Sequence, residues 1–331
     1  MARIFHSLAQ VPSDWRATVV SIGNFDGVHC GHRHVLHNVV ERAHALRAHS
    51  LAVTFDPHPA RVLRPENAPR LITPLPQKLA TLEQSGVDAV LVLPFSEDFA
   101  RNSPREFAQR VIHDGLHAKE VHEGANFHFG HRAQGDCEQL RQLGDEMGFA
   151  VIVYPEMRVR GEIVSSSRIR QLLLGGEVSK ARHLLGRPFS IVSTPARGRG
   201  YGSRYTVPTI NLAEYAELVP RNGVYVTCTR IESEQFHSVT NVGTRPTFAG
   251  ASFAIETHLL DFHPLPLSEV TPVEISFLKW LRPEMQWPSP EALKQQIGKD
   301  VARAQRLFAR CHSESASGGR GIPTPRSSVK G

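Results

Sequence analysis

The sequence predicts an α/β, doubly wound (Rossmann-like) domain followed by a small antiparallel β-barrel with a C-terminal helix. Three observations lead there. Strand-like and helix-like segments alternate through the first half of the 331 residues, as the βαβ units of a parallel sheet do. From Arg187 to Leu281, β-rich segments follow one another across turn signals with no helix-length periodic run, the pattern of a small barrel. A stretch from Pro290 to about Arg310, with Ser289 as its cap, then reads as a helix. The boundaries expected are 1–186 for the first domain, 187–312 for the second, and 313–331 for a Ser-, Gly- and Pro-rich tail whose composition predicts disorder.

Taken in order, Ala17–Gly23 reads as a buried strand. His32–His49 reads as a helix, with Val35, Leu36, Val39, Val40, Ala43 and Leu46 on one face. Leu51–Phe55 is strand-like, Gln77–Gln84 helical, and Val87–Phe95 the clearest buried strand. Ser103 is a good cap, with Pro104 in the first turn and Glu106 three residues on. AKEVHEG and FAVIVYP supply two more strands around a helix from Asp136 to Met147. Ser165–Gly186 reads as two short helices split at Gly175–Gly176 and closes the first domain. PFSIVS, GVYVTCTRI, FHSVTNVG, FAIETHLLDF and VEISFLKWL are the strands of the second.

Composition excludes several classes. Hydrophobic residues at 40% and charged residues at 21% are ordinary for a globular protein. No apolar run approaches the ~20 residues that span a bilayer, and the first residues lack a secretory apolar region. The four cysteines are scattered and form no CxxC pair, so neither a disulfide framework nor a thiolate zinc site is expected, and the cytoplasm is the default setting. The net charge of +6 hints at nucleic acid, but residues 301–331 alone carry +5 of it. The nearly neutral body makes a nucleic-acid partner unexpected.

The first chemical motif is GNFDGVHCGHRHVL (Gly23–Leu36), between the first strand and the first helix. Gly23, Gly27 and Gly31 let the backbone approach a ligand. A helix N-terminus offers unpaired N–H groups and partial positive charge, and His29 and His32 can donate to a triphosphate and stabilise charge built up at an attacked α-phosphorus. Such an HxGH pattern is typical of nucleotidyl transferases that form no covalent intermediate. An ordinary glycine loop with solvated histidines is the plain alternative, and His29, Cys30 and His32 also imitate part of a metal site. The second motif is SSSRIR (Ser165–Arg170), where hydroxyls, helix N–H groups and Arg168 make either a second phosphate clamp or a simple serine cap. Both would lie at the edge of the sheet where ligands of doubly wound folds bind.

These motifs, together with VTFDPHP (Val53–Pro59), FHFGHRAQGD (Phe127–Asp136), VPTINL (Val207–Leu212), NVGTRPTF (Asn241–Phe248), IETHLLDF (Ile255–Phe262) and LRPEMQWPSPEALKQQI (Leu281–Ile297), resemble the prokaryotic bifunctional riboflavin kinase/FMN adenylyltransferases in order and spacing. The resemblance implies a nucleotidyltransferase domain that joins AMP from ATP to FMN, giving FAD and pyrophosphate. It also implies a barrel domain that phosphorylates riboflavin to FMN. His29 and His32 would then bind the ATP phosphates, with Gly23, Asn24, Asp26 and Gly31 shaping the loop. Ser166, Ser167 and Arg168 would hold the nucleotide from the other side. Pro57, His58, Asn126, Phe127 and Phe129 would border the flavin. In the barrel, Thr209 and Asn211 would bind Mg²⁺, and Glu256 would take the proton from the ribityl 5′-hydroxyl. On its own, without the resemblance, Glu256 reads as a surface strand residue.

Ser203 stands where the resemblance expects an arginine, Arg204 is one place late, and Thr206 replaces a glycine. Asn126 replaces an aspartate, and Glu123 adds a negative charge nearby. These departures leave two alternatives open: an FMN adenylyltransferase whose kinase half is weak or inactive, or a non-catalytic flavin-binding module.

Overall fold

The computed structural model describes residues 2–196, 209–247, 250–263 and 267–316. The chain divides into two compact units, Met1–Arg168 and Ile169–Gly331.

In the first unit, β1 (Arg3–Phe5), β2 (Thr18–Ile22), β3 (His49–Asp56), β4 (Ala89–Pro94), β5 (Ala118–Gly124) and β6 (Ala150–Tyr154) form one sheet in the order β1-β4-β3-β2-β5-β6. Every pairing in it is parallel. The helices are α1 (Cys30–Leu46), α2 (Pro59–Leu63), α3 (Leu75–Glu83), α4 (Glu97–Ala100), α5 (Pro104–Phe107, running on in wider π-type turns over Ala108–Gly115) and α6 (Cys137–Met147). A two-stranded hairpin, β7 (Arg158–Val159) and β8 (Glu162–Ile163), follows β6.

Strand alternation feeds a layer on each face of the sheet. Val20, Ile22, Leu51, Val53, Leu91 and Leu93 pack with Phe107, Val111, Ile112 and Leu140. Ala52, Val90 and Val92 pack with Leu36 of α1 and Leu82 of α3. Local signals fix the helix ends. Asp136 caps α6 by accepting from the Gln139 N–H at 2.8 Å, and Gly148 ends it at φ +83°. The capping box expected at Ser103 and Glu106 is present. The three-residue β1 and the β7–β8 hairpin are too short to leave a periodic pattern, and the sequence reading does not include them.

α7 (Ser166–Leu174) and α8 (Val178–Leu185) precede β9 (Phe189–Ser193), β10 (Thr209–Asn211), β11 (Gly223–Ile231), β12 (Glu234–Thr247), β13 (Gly250–Leu259) and β14 (Val273–Arg282). These strands form an antiparallel sheet in the order β10-β13-β12-β11-β14-β9. Beyond the ends of its edge strands, Pro195 bridges Leu212. There Ala196 N–H donates to Asn211 O and Ala213 N–H to Thr194 O, both at 2.8 Å. The two edges therefore meet, as a barrel requires. Residues 169–186 fall with this second unit: Arg221 N–H donates to Leu173 O, and Ser179 Oγ to Leu278 O.

α9 (Pro290–Ala316) is capped by Ser289, whose Oγ accepts from the Ala292 N–H. It is fastened by Arg282, which donates to both oxygens of the buried Asp300. It runs four residues past 312, where the tail was expected to begin; residues 317–331 lie outside those described.

Inside the barrel five hydroxyls close a ring: Thr227 to Ser238 (2.7 Å), Ser238 to Thr229 (2.8 Å), Thr229 to Thr257 (3.2 Å), Thr257 to Thr240 (2.8 Å) and Thr240 to Thr227 (2.7 Å). All five residues are fully buried. Each hydroxyl can donate once and accept once around such a ring, so no buried polar atom in it goes unpaired. Replacing Thr240 by Val keeps the shape and breaks two links. We expect Thr240→Val to lower unfolding free energy by about 1–3 kcal/mol in urea denaturation; a change within 0.5 kcal/mol would show that the ring is not holding the barrel.

Candidate active site

The sheet order reverses at β2: the chain adds β3 and β4 on one side of it and returns to add β5 on the other. Ligands in such sheets bind outside the carboxyl ends of the strands at this switch point. A cavity of about 1030 Å³ opens there, lined by residues from the β2–α1 loop, the 124–135 loop, the end of β6 and the start of α7.

The β2–α1 loop is tightly wound. Phe25, Gly27 and Val28 have φ of +47°, +85° and +38°. Gly27 accepts that conformation freely, whereas a β-branched residue there is strained, a state found where function demands a particular loop shape. Asp26 is buried, and its carboxylate accepts from the backbone N–H of Ile72 at 2.9 Å and of Thr73 at 3.0 Å. It lines the cavity but is spent on holding the 72–73 segment. Lys78 is buried beneath the loop and donates to Asn24 O at 3.1 Å and Thr54 Oγ1 at 3.0 Å. Burial lowers its pKa, against the pull of Asp26 and Asp56.

His29 is the N-cap of α1: its Nδ1 accepts from the His32 N–H at 3.3 Å, leaving the proton of a neutral ring on Nε2. The His29 and His32 rings stack with centroids 3.6 Å apart. Burial, then His29 and Lys78, hold His32 well below the usual imidazole range, so it is neutral at pH 7. Its Nδ1 is buried without a partner among the described residues, leaving Nε2 as the nitrogen able to meet a ligand.

The three serines of the second motif divide the work. Ser165 Oγ accepts from the Arg168 N–H at 3.2 Å and is the cap. Ser166 Oγ donates to Asp26 O at 2.8 Å, joining segments 140 residues apart. All three serines line the cavity. Arg168 does not line it; its guanidinium grips Glu162 with bonds of 2.8 and 3.0 Å.

Of the residues expected to border a flavin, Asn126, Phe127 and Phe129 line the cavity, but Pro57 and His58 do not. His58 Nδ1 instead accepts from the Ala60 N–H and caps α2, leaving Pro59, Leu63 and Arg64 at the wall. The sequence reading missed most of an aromatic wall. Phe55, Phe95, Phe99, Phe107, Phe129 and Phe127 form a continuous chain of ring contacts with centroids 5.5–6.1 Å apart. All of them line the cavity. Four come from separate elements, and only their shared place on the strand ends unites them. Gly135 is required by this wall, since a Cβ there would sit 2.7 Å from the Phe129 ring.

A family model described as FAD synthetase matches residues 11–168, and one described as riboflavin kinase matches residues 185–308. A bifunctional riboflavin kinase/FMN adenylyltransferase of Pseudomonas fluorescens is 37% identical over 93% of this chain and 98% of its own. Its namesake from Escherichia coli K12 is 32% identical over 93% and 97%. The chain belongs to the bifunctional riboflavin kinase/FMN adenylyltransferase family. A solved structure titled as a macrolide-efflux protein from Streptococcus pneumoniae shares the fold, with TM-score 0.83 and 26% identity over 92% of this chain and 98% of that one. Among the described residues of this chain, no helix is long and apolar enough to cross a membrane.

In the riboflavin kinase unit, register brings the remaining expected residues together. Asn211 on β10 and Asn241 on β12 flank Glu256 on β13, and Thr209 pairs with His258 two residues along. Ile255, Thr257 and Leu259 face the buried interior, so the half-buried Glu256 lies on the opposite face. Ser203, Arg204 and Thr206 lie outside the described residues.

Glu123, at the end of β5, is buried against the cavity; its Oε1 accepts from the Ile22 N–H at 2.6 Å. Burial raises its pKa well above the ordinary carboxyl value, against that hydrogen bond. The folded state thus keeps this proton to a higher pH than the unfolded chain does. Stability from Glu123 is complete below the ordinary pKa of about 4.3 and falls as pH rises toward its own. Glu123→Gln should therefore gain stability over the native protein as pH rises above about 4.3, by up to about 1.4 kcal/mol per unit until the pKa of Glu123 is passed. A difference independent of pH in denaturation curves would contradict this.

Proposed function

We propose that adenylyl transfer takes place in the cavity of the first unit and riboflavin phosphorylation on the Glu256 face of the barrel. The chain is a transferase that converts riboflavin to FMN and FMN to FAD, with ATP as co-substrate in both reactions. The observation that carries the placement is the Ser166–Asp26 bond, which sets the starts of α1 and α7 around one cavity. The partial positive charge of helix starts suits a triphosphate. The aromatic wall supplies flat apolar surface for an isoalloxazine ring.

In the first reaction a phosphate oxygen of FMN attacks the α-phosphorus of ATP, and the bond to the β-phosphate breaks to release pyrophosphate. His29 and His32 would donate hydrogen bonds to phosphate oxygens as charge builds on them. Gly23, Asn24 and Gly31 shape the loop that brings the backbone close, and Ser166 and Ser167 close the other side. Arg168, engaged with Glu162, would hold the serine turn in place. Catalysis of this kind is positioning and electrostatics.

In the barrel, Thr209 and Asn211 offer hydroxyl and amide oxygens beside Glu256, a set that fits Mg²⁺, a hard cation. Bound there with the ATP phosphates, the metal would neutralise charge on the transferred group. Glu256 would accept the proton of the ribityl hydroxyl. The cytoplasm is where we place both reactions.

His32→Ala should cut FAD formation from FMN by about 10²–10³ and leave riboflavin phosphorylation within twofold. Glu256→Gln should do the reverse. Chromatographic separation of FMN and FAD reads both, and parallel loss of the two activities in either variant would reject the two-site assignment.

A further inference from the structure

A chain of polar contacts that plays no part in the reading above ends at the cavity wall. Arg42 on α1 donates from Nε to Glu120 Oε2 at 2.9 Å and from Nη2 to Oε1. Glu120 Oε2 also lies 3.0 Å from His122 Nε2, and His122 Nδ1 lies 2.8 Å from the hydroxyl of Tyr154. Tyr154 ends β6 and lines the cavity.

The chemistry of each link fixes the direction of the next. Arg42 has only donors, so it meets an ionised carboxylate. That carboxylate can only accept, so His122 Nε2 carries a proton and donates to it. His122 is fully buried, and burial disfavours a second proton on the ring. Its Nδ1 is therefore an acceptor, and the Tyr154 hydroxyl donates to it. The Tyr154 oxygen is left with lone pairs alone to offer a ligand. Tyr154 also stands edge-on to His34 at 5.5 Å, on the helix that His29 and His32 begin, and takes no part in the phenylalanine wall. Its side of the cavity is that of the nucleotide rather than of the flavin.

We propose that Tyr154 is a specificity residue of adenylyl transfer: its oxygen accepts a hydrogen bond from the nucleoside part of ATP, a ribose hydroxyl or the adenine amino group. Arg42, Glu120 and His122 are positioning residues that deny it the donor role. This rests on the placement of ATP in the first unit.

Steady-state synthesis of FAD by the full chain tests it. Tyr154→Phe should raise KM for ATP about 3- to 10-fold, the worth of one neutral hydrogen bond. KM for FMN, kcat and riboflavin phosphorylation should stay within twofold. Glu120→Gln, whose amide can donate to His122 and reverse the chain, should raise KM for ATP similarly. The penalty of Tyr154→Phe should vanish with one of 2′-deoxy-ATP, 3′-deoxy-ATP or purine-riboside triphosphate, namely the analogue lacking the recognised donor. An unchanged KM for ATP, a rise in KM for FMN instead, or an equal penalty with all three analogues would overturn the proposal. Loss of FAD synthesis in His32→Ala alongside any of these would reject the role of Tyr154 alone; normal FAD synthesis in His32→Ala would reject the site itself.

Discussion

Strands β2 and β5 pair only as far as Val20 and Val121. Beyond that point the Ile22 N–H turns to the carboxyl of Glu123, which occupies the split between the strands. The rest of the first unit depends on this divergence. A parallel sheet whose order reverses has one place on its carboxyl edge where neighbouring connections leave toward opposite faces. The β2–α1 loop departs on one side of it, the loop after β5 on the other, and β6 leads through its hairpin to α7. The cavity is the space these three exits enclose, and the Ser166–Asp26 bond ties the first to the last. Burial holds the carboxyl that fills this split well above the ordinary carboxyl range, so its charged form is disfavoured beside the cavity.

Three other titratable groups around the two helix starts are also held neutral or engaged by protein partners. His32 is held neutral by burial and by its neighbours. Lys78 is turned to a carbonyl and a hydroxyl beneath the loop, and Arg168 is held by Glu162. At the two helix starts the cavity is lined by His29 and His32 and by Ser165, Ser166 and Ser167, beside helix N-termini whose partial charge is positive. That agrees with a chain whose charge excess sits in its last residues rather than on its body.

Much of this was legible in the sequence because it is local. Short apolar-rich runs such as Val19–Ile22, broken only by Ser21, and Ala89–Leu93 announce strands buried on both faces, and Gly-, Ser- and His-bearing turns mark where they end. The sequence places HxGH and SSSR at one edge of the sheet; His29, Gly31, His32 and the three serines line one cavity there, while Arg168 does not. What stayed hidden is set by distance along the chain. Nothing near Asp26 reveals that its carboxylate serves Ile72 and Thr73, or that Glu162 claims Arg168. The phenylalanine wall draws on β3, the segment after β4, α4, α5 and the 124–135 loop, each giving one or two rings that look like ordinary core. The hydroxyl ring of the barrel reads in sequence as scattered Thr and Ser on strands; only antiparallel register brings them into contact.

The central claim is that two separate phosphate-handling sites exist, and that the Ser166–Asp26 tie serves one of them. The most direct measurement supplies the full chain with riboflavin and ATP labelled at both the α- and γ-phosphorus, and counts each label in the flavin products. With Ser166→Ala, incorporation of the α-label should fall at least about tenfold while the γ-label enters FMN at the native rate. Parallel loss of both labels, or no loss of either, would contradict the account.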